Sequence, residues 1–259
     1  MSTDDQPFIA DRFQSTIPFY IAHRPRYPDR LMAEIVRRTG TGEHDPVLDL
    51  GCGTGMVALG LARQGLKGVV GLDPDPAMVE AARAEAERAE AAVRFALGSS
   101  RDLSPAPGPL KLVTMGRSFH WMERAATLDA LDACVAPDGA IVVLTDMPEV
   151  APENWWKGVM RELQYEFTGR ASQNRPPRLG VLLDSAFSSL ERYAVVERRP
   201  MTVDAIVGRA FTLLESSPKA LGPRMGRFEA ELRRRLLDGS PDGAFTELCE
   251  FDALIARRP

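Results

Sequence analysis

The stretch Val47-Leu48-Asp49-Leu50-Gly51-Cys52-Gly53-Thr54-Gly55 joins an apolar run to a loop with glycine at every second position. Its first four residues are mostly apolar and are typical of a short buried strand in a parallel sheet. The three glycines allow the backbone to turn sharply, so that its amide groups can approach a ligand at the N-terminus of the next helix. The stretch therefore predicts a cofactor site at the end of a strand.

The spacing of the glycines indicates which cofactor binds. Dinucleotide-binding loops favour G-x-G-x-x-G, whereas this loop has Met56 at the position of the last glycine of that motif. Asp49 lies two residues before Gly51 and should point toward the loop, where a carboxylate repels a diphosphate but attracts sulfonium and ammonium groups. S-adenosylmethionine carries both cations, and we expect it to be the cofactor.

A second acidic residue follows the next predicted strand, residues 68–72. Asp73 lies twenty residues after Gly53 (73 − 53 = 20). At this spacing an acid can bind the ribose hydroxyls in a mononucleotide-binding half of an α/β fold. The ordered series of strand, loop, helix, strand and acid predicts that adenosine binds beside Asp73.

Four segments of the chain resemble the class I S-adenosylmethionine-dependent methyltransferases. Residues 47–55 and Gly71-Leu72-Asp73-Pro74-Asp75-Pro76-Ala77-Met78 are similar to the cofactor-binding motifs of that family. Gly116-Arg117-Ser118-Phe119-His120-Trp121 and Tyr20-x-x-x-Arg24-Pro25-x-Tyr27-Pro28 resemble a subgroup that acts on small molecules. The resemblance is strong over residues 20–145.

The resemblance implies an α/β fold with a Rossmann-like, doubly wound, seven-stranded and mostly parallel sheet. The final strand of such a sheet is antiparallel, and a helical cap covers the substrate. The alternation of strands and helices along this chain also predicts a parallel sheet. The predicted strands lie at 47–50, 68–72, 93–97, 110–115, 140–145, 193–199 and 248–256. The predicted helices lie at 29–38, 56–64, 76–92, 124–135, 153–168, 176–186, 203–215 and 223–238.

The length and composition of the chain favour one domain. With 259 residues, 44% of them hydrophobic and 26% charged, the chain can bury a sizeable core. Four prolines interrupt residues 1–28, which we expect to form an N-terminal flap. Residues 29–146 are predicted to form the S-adenosylmethionine-binding core. Residues 147–259 are predicted to supply helical cap segments and the C-terminal strands that complete the same domain.

Charge and cysteine content limit the classes of partner. A formal net charge of −4 and an isoelectric point near 5.6 disfavour a nucleic-acid partner. The acidic start of the chain and the lack of a long apolar run predict no membrane partner. Cys52, Cys134 and Cys249 are scattered, which favours free thiols in the reducing cytoplasm. A small-molecule acceptor is the expected partner, and the sequence leaves the oligomeric state open.

The resemblance also assigns roles to individual cofactor-binding residues. Amides after Gly55 would hold the methionine carboxylate, Asp49 would lie near the ammonium group, and Asp73 would bind the ribose. Ser99 and Ser100 can either bind the adenine edge or cap the following turn. The predicted cofactor-binding residues are Tyr20, Arg24, Tyr27, Asp49, Gly51, Cys52, Gly53, Gly55, Asp73, Pro74, Met78, Ser99, Ser100, Gly116 and Phe119.

His120 is the candidate catalytic residue. It follows the predicted fourth strand, at the edge where a parallel sheet opens onto its ligand, and a neutral imidazole there can accept a proton. The alternative is that residues 119–121 form a structural shelf for the cofactor and acceptor. Arg117 stands where the subgroup commonly has glutamine, and it either contacts an acidic or hydroxylated acceptor or is exposed.

Two interpretations of the flap also remain open. Arg24 can bind the methionine carboxylate while Tyr20 and Tyr27 close the site as a lid. Alternatively, Pro25 and Pro28 only guide the chain into its first helix while the aromatic rings pack. No histidine and carboxylate spacing typical of a metal site is present, and we expect no metal.

The predicted function is transfer of a methyl group from S-adenosylmethionine to an oxygen, nitrogen or carbon of a small acceptor, such as a natural product. Two other classes compete with it. A nicotinamide-dependent oxidoreductase is disfavoured by Met56 and Asp49. A catalytically inactive methyltransferase-like binding protein would keep the glycine loop and Asp73, so these residues do not argue against it.

Overall fold

The computed structural model describes residues 12–104, 108–148, 151–170 and 177–259. Its centre is a seven-stranded sheet with the order β3-β2-β1-β4-β5-β7-β6. The strands are β1 Val47–Leu50, β2 Val69–Asp73, β3 Arg94–Leu97, β4 Leu110–Gly116, β5 Val135–Pro148, β6 Ser189–Thr202 and β7 Ala244–Arg257.

The direction of the strands agrees with the sequence-based prediction. Strands β1 to β5 pair in parallel, whereas β7 runs antiparallel to both β5 and β6. The strand order reverses between β1 and β4, which places a crevice at the carboxyl ends of these two strands. Ligands of doubly wound sheets bind in such a crevice.

The described α-helices cover both faces of the sheet. They are α1 Ile17–His23, α2 Asp29–Thr39, α3 Met56–Ala62, α4 Pro76–Arg88, α5 Arg124–Asp132, α6 Trp156–Thr168, α7 Leu179–Leu183, α8 Val203–Ala210, α9 Pro218–Leu221 and α10 Met225–Gly239. Apolar residues of α2, α3 and α4 form the core on one face, and those of α5 and α7 form the core on the other. Burial of both faces explains why the strand residues are so apolar.

A third apolar cluster lies within the predicted cap. It joins α6, α8 and α10, with Trp156 and Phe228 fully buried at its centre. The indole N–H of Trp156 donates to the backbone oxygen of Thr246 at 3.0 Å, which attaches this cluster to β7. The cap therefore has a core of its own and is fixed to β7, next to the edge strand β6.

The boundaries of several elements differ from the predictions. Strands β5, β6 and β7 each span 14 residues and are longer than predicted. Seven of the 14 residues of β6 are exposed and five are charged, so this segment lacks the apolar signal of a buried strand. Helix α8 ends at Ala210, α9 has no counterpart in the prediction, and the helix predicted at 176–186 begins outside the described residues.

Two features relate to the expected partners and compartment. None of the described helices is both long and apolar enough to cross a lipid bilayer. The three cysteines are buried and unbridged.

The predicted flap is described in part. Residues 1–11 lie outside the described residues, and the rest of the flap contains a 3-10 turn, Gln14–Thr16, followed by α1. Pro18 falls in the first turn of α1, where a missing N–H is tolerated.

Candidate functional site

The glycine loop between β1 and α3 leaves its central residue open. Gly51, Gly53 and Gly55 have φ angles of +68°, +53° and +83°, which side chains rarely adopt. A Cβ added at Gly51 would lie 2.5 Å from the Cβ of Ser118, and one at Gly55 would lie 2.8 Å from the ring of Phe95. A Cβ at Gly53 would have no neighbour within 4 Å. The loop is thus packed at both ends and accessible to a ligand at its centre.

Asp49 is buried beneath this loop. Its carboxylate accepts hydrogen bonds from the backbone N–H of Ala58 at 3.1 Å and from the hydroxyl of Thr114 at 2.9 Å. Burial raises the pKa of Asp49 to about 7, although both hydrogen bonds oppose the shift. The side chain therefore connects β1, β4 and the first turn of α3, and a cation bound nearby would favour its charged form.

Asp73 organises the same loop from the end of β2. Its two carboxylate oxygens accept the backbone N–H groups of Gly53 at 2.8 Å and Asp75 at 3.0 Å. Burial raises the pKa of Asp73. Each carboxylate oxygen has a second lone pair, so Asp73 retains capacity for further hydrogen bonds.

The other residues predicted around adenosine have structural contacts. Cys52 is buried, and burial raises the pKa of its thiol. Met78 is buried in the first turn of α4, which directly follows Pro74 and Asp75. The hydroxyl of Ser99 donates to Asp102 at 2.8 Å and caps the 3-10 turn Ser100–Asp102. The capping alternative thus occurs at Ser99, and an adenine contact by either serine stays a prediction.

The segment after β4 brings the predicted catalytic residue to the carboxyl edge of the sheet. A Cβ at Gly116 would lie 2.5 Å from Val57, so β4 approaches α3 closely here. Phe119 is buried in the core shared with α5, which makes it a packing residue in this structure. His120 is half-buried in the 3-10 turn Phe119–Trp121, and its ring centroid lies 4.7 Å from that of Trp121.

Arg117 connects the flap to the ends of two strands. Its Nε donates to Asp146 at 2.6 Å and its Nη2 to the backbone oxygen of Pro25 at 2.8 Å. Its Nη1 lies 3.4 Å from the hydroxyl of Tyr20, and the guanidinium lies 4.5 Å from the ring centroid of Tyr27. The side chain is buried, so the interpretation of Arg117 as an exposed residue is wrong.

The backbone of Arg117 is strained. Its φ of +57° is a left-handed conformation that costs a non-glycine residue about 1–2 kcal/mol. Such strain persists only where the surroundings fix the residue. The contacts to the flap and to Asp146 fix it here, which marks Arg117 as a positioning residue, a role that the sequence did not indicate.

The two flap tyrosines differ in the pKa of their hydroxyl groups. Burial raises the pKa of Tyr27 well above its usual value, and its hydroxyl donates to the backbone oxygen of Leu144 at 3.5 Å. Burial also opposes ionisation of Tyr20, but Arg117 and Arg24 outweigh it and lower the pKa of that hydroxyl. Tyr20 therefore lies in a more positive environment than Tyr27.

Six charged side chains form a buried charge cluster beneath the flap. Asp146, at the end of β5, lies 2.6 Å from Arg117, 3.5 Å from Arg24 and 3.7 Å from Arg209. Arg209 also lies 3.3 Å from Glu247. The members of the cluster are Arg24, Arg117, Asp146, Lys157, Arg209 and Glu247.

Sequence reasoning missed four members of this cluster: Asp146, Lys157, Arg209 and Glu247. The available signal was a charge placed next to an apolar stretch, as at Asp146 after the apolar run of β5. That signal does not tell which distant charges meet. Arg24, which was predicted from the flap motif, lies in the cluster and also contacts the hydroxyl of Thr212 at 3.4 Å.

The flap is packed directly onto the cap. A Cβ at Gly208 of α8 would overlap the imidazole of His23 at the end of α1. The rings of Phe19 and Phe211 meet edge to face, with centroids 5.0 Å apart. The flap and cap together cover the carboxyl edge of the sheet next to Arg117.

Metal binding has no visible basis in this region. Across the described ranges, no three histidine, cysteine or acidic side chains lie close enough together to hold a metal ion.

Comparison with known proteins shows that this chain is similar to methyltransferases. Residues 47–139 match the model of a methyltransferase domain family. An uncharacterized methyltransferase of Mycobacterium tuberculosis is 28% identical over 199 residues, covering 75% of this chain and 73% of the relative. A trans-aconitate 2-methyltransferase of an Enterobacter species is 32% identical over 154 residues, covering 59% of this chain and 58% of its own. A ribosomal protein L11 methyltransferase of Dechloromonas aromatica is 48% identical over 67 residues, covering 26% of this chain and 22% of its own.

A solved structure has the same architecture. A protein of Anaeromyxobacter dehalogenans, assigned as a type II methyltransferase, superposes with a TM-score of 0.61. The match covers 91% of this chain and 97% of that protein at 20% sequence identity. At this identity the match shows a common fold.

Proposed function

Since this chain belongs to the class I S-adenosylmethionine-dependent methyltransferases, we propose that it methylates a small-molecule acceptor enclosed between the N-terminal flap and the helical cap. Its cofactor is S-adenosylmethionine. The proposal concerns the acceptor and the roles of individual residues. Buried, unbridged cysteines agree with a cytoplasmic location, which we also propose.

The residues around the glycine loop fit this cofactor. The open position at Gly53 lets a ligand approach the loop backbone and the N-terminus of α3, where amides favour a carboxylate. Asp49, with its pKa raised to about 7, gains from a positive charge nearby. Asp73 has spare acceptor capacity for ribose hydroxyls. We propose these three residues, together with Arg24 on the methionine carboxylate, as the main cofactor contacts.

The contact between flap and cap carries the proposal of a small acceptor. Helix α1 packs on α8 through His23, Gly208 and the ring pair of Phe19 and Phe211. A site covered in this way favours a small molecule as the acceptor over a folded protein or a nucleic-acid duplex. The net charge of −4 also gives no general attraction to nucleic acid.

The chain then has three tasks in the reaction. Bound S-adenosylmethionine supplies an electrophilic methyl group, whose transfer is an in-line displacement that depends on alignment. Arg117 holds Tyr20 and the flap over the strand ends, which would exclude water and fix the acceptor. His120 would take a proton when the acceptor is a hydroxyl or an acidic carbon, and it would only line the site when the acceptor is an amine.

Transfer of a labelled methyl group tests this proposal. Purified protein is incubated with methyl-labelled S-adenosylmethionine and a cell extract, and small molecules are then separated from protein and RNA by ultrafiltration. The label should enter the low-mass fraction. Label confined to protein or RNA would overturn the small-molecule acceptor, and no label in any fraction would favour an inactive binding protein. Trans-aconitate is the first pure acceptor to test, since a relative acts on it.

A further inference from the structure

The buried charge cluster contains more cations than anions. Four cationic side chains share two carboxylates, which leaves a formal charge of +2 among the described residues (4 − 2 = 2). None of the six side chains is more than 11% exposed. The cations are Arg24, Arg117, Lys157 and Arg209, and the carboxylates are Asp146 and Glu247.

Burial acts against the charged form of three of these cations to different extents: at Arg117 it is outweighed by Asp146 and the flap tyrosines, which raise the pKa of that side chain, whereas at Arg209 and Lys157 it prevails. Burial and the neighbouring Arg24 lower the pKa of Arg209 to about 10. Burial also lowers the pKa of Lys157, despite its contact with Glu247 at 2.8 Å. The Nε of Arg24 is buried and has no hydrogen-bond partner within the described part of the chain. One oxygen of Glu247 is also without a hydrogen-bond partner among the described residues, so the pairing within the cluster is incomplete on both sides. A buried N–H group without a partner is costly, and an anionic ligand that accepts from it would relieve that cost.

Two of the arginines have only long contacts to their partners: the contacts of Arg209 to Glu247 and to the backbone oxygen of His23 are 3.3 and 3.5 Å. Arg117 binds Asp146 at 2.6 Å, whereas Arg24 and Arg209 remain 3.5 and 3.7 Å from the same carboxylate. The cluster also adjoins the cofactor loop, because Arg117 lies 3.7 Å from the sulfur of Met56, the first residue of α3. Arg24 and Arg209 therefore offer charge-assisted hydrogen bonds close to the proposed transfer site.

The charge that remains in the cluster when the cofactor is bound indicates the class of acceptor. If Arg24 binds the methionine carboxylate, as the flap motif suggests, one unit of positive charge remains. We propose that the acceptor carries a carboxylate, which pairs with Arg209 beneath the flap. A carboxylate supplies one negative charge and fits the planar guanidinium in a bidentate manner, whereas a phosphate near neutral pH supplies up to two. This inference rests on the proposed function, because it concerns the acceptor of the same reaction.

Matched acid and amide pairs test the inference. Protein loaded with S-adenosylhomocysteine is titrated calorimetrically with benzoate and benzamide, and with hexanoate and hexanamide. Each acid should bind about tenfold or more tightly than its amide, since an extra hydrogen bond to a charged group contributes about 1.5–3 kcal/mol. The Arg209→Met variant should lose about 10- to 100-fold of the affinity for the acids and retain its affinity for S-adenosylhomocysteine.

A second arginine provides the matched control. Arg161 is exposed on α6, one turn from Lys157, and Arg161→Met should bind the acids as the unmodified protein does. Equal binding of acid and amide, no binding of either acid to the loaded protein, or unchanged acid binding by Arg209→Met would overturn the inference. Failure to bind S-adenosylhomocysteine would instead overturn the proposed cofactor site, so the two failures are distinguishable.

Discussion

The cofactor side and the acceptor side of the candidate site are held together by different kinds of contact. On the cofactor side, each carboxylate binds a backbone N–H group nearby in sequence: Asp49 and Ala58 are nine residues apart, and Asp73 and Gly53 are twenty apart. The bond from the Thr114 hydroxyl to Asp49, across 65 residues, is the long-range contact among those described for these two acids. On the acceptor side, side chains from distant segments meet, as Arg24 and Thr212 do across 188 residues. The first kind of contact depends on local backbone geometry, and the second on the assembled fold.

This difference should appear in how the two sides respond to substitution. A change on the cofactor side should act on one ligand and on local backbone strain. On the acceptor side, the charges compensate one another, so removing an anion and removing a cation should have opposite consequences for stability.

Removal of the central anion should have the largest effect. Asp146→Asn leaves three buried guanidinium groups without their shared charge and should lower the free energy of unfolding by about 3–5 kcal/mol. Arg209→Met should leave that free energy unchanged or raise it, because it removes a surplus charge. Denaturant unfolding of both variants measures these two changes in the free energy of unfolding. Equal destabilisation by the two would show that the cluster has no positive surplus.

Loss of the candidate base should affect turnover alone. His120→Ala should lower turnover about 100-fold, the lower end of the contribution of a positioned general base, while the affinity for S-adenosylhomocysteine stays within about twofold. His44 is exposed, and His44→Ala is the control. Steady-state kinetics with an identified hydroxyl acceptor measures the turnover of both variants, and unchanged turnover in His120→Ala would remove His120 from the mechanism.

The open glycine provides a test of the cofactor side. Gly53→Ala should weaken binding of S-adenosylhomocysteine about 30-fold, since its new methyl group occupies the space through which the ligand approaches. Gly65, after α3, also has a positive φ, and a Cβ added there would have no neighbour within 4 Å. Gly65→Ala therefore introduces the same backbone strain as Gly53→Ala, about 1–2 kcal/mol, at a position away from the proposed ligand. Calorimetry should show normal binding for Gly65→Ala. Equal affinities for the two variants would contradict a ligand at Gly53.

The smallest expected effect is a pH dependence that originates at Asp49. Its pKa of about 7 in the free protein means that the attractive carboxylate is mostly protonated at about pH 6 and mostly charged at about pH 8. Affinity for S-adenosylmethionine should therefore rise up to about tenfold over that interval. Asp49→Asn should flatten the profile. An unchanged profile in this variant would show that Asp49 does not act on the cofactor's charges.

The raised pKa of Asp49 also makes the stability of the free protein depend on pH. The folded state binds the proton of Asp49 more tightly than the unfolded state, whose pKa is near 3.8. The contribution of Asp49 to the stability of the free protein therefore falls as the pH rises from about 4 through about 7. In Asp49→Asn this part of the decline should be absent.

The sequence predicted the fold, whereas it did not show which charged residues meet on the acceptor side. The glycine loop, the acids in β1 and at the end of β2, and the parallel direction of β1 to β5 follow from local patterns that parallel sheets require. Arg209, Lys157 and Glu247 lie on separate elements of the cap and sheet, and no periodicity shows that they meet. Phe119 lies in the buried cluster that includes residues of α5, and its predicted contact with the cofactor stays a prediction.

Calorimetric titration of the purified protein with S-adenosylhomocysteine, and separately with a nicotinamide dinucleotide, shows which class of cofactor the glycine loop binds. S-adenosylhomocysteine should bind saturably at one site and more weakly in Gly53→Ala, and the dinucleotide should not bind. Binding of the dinucleotide with no response to S-adenosylhomocysteine would contradict the assignment of S-adenosylmethionine as the cofactor.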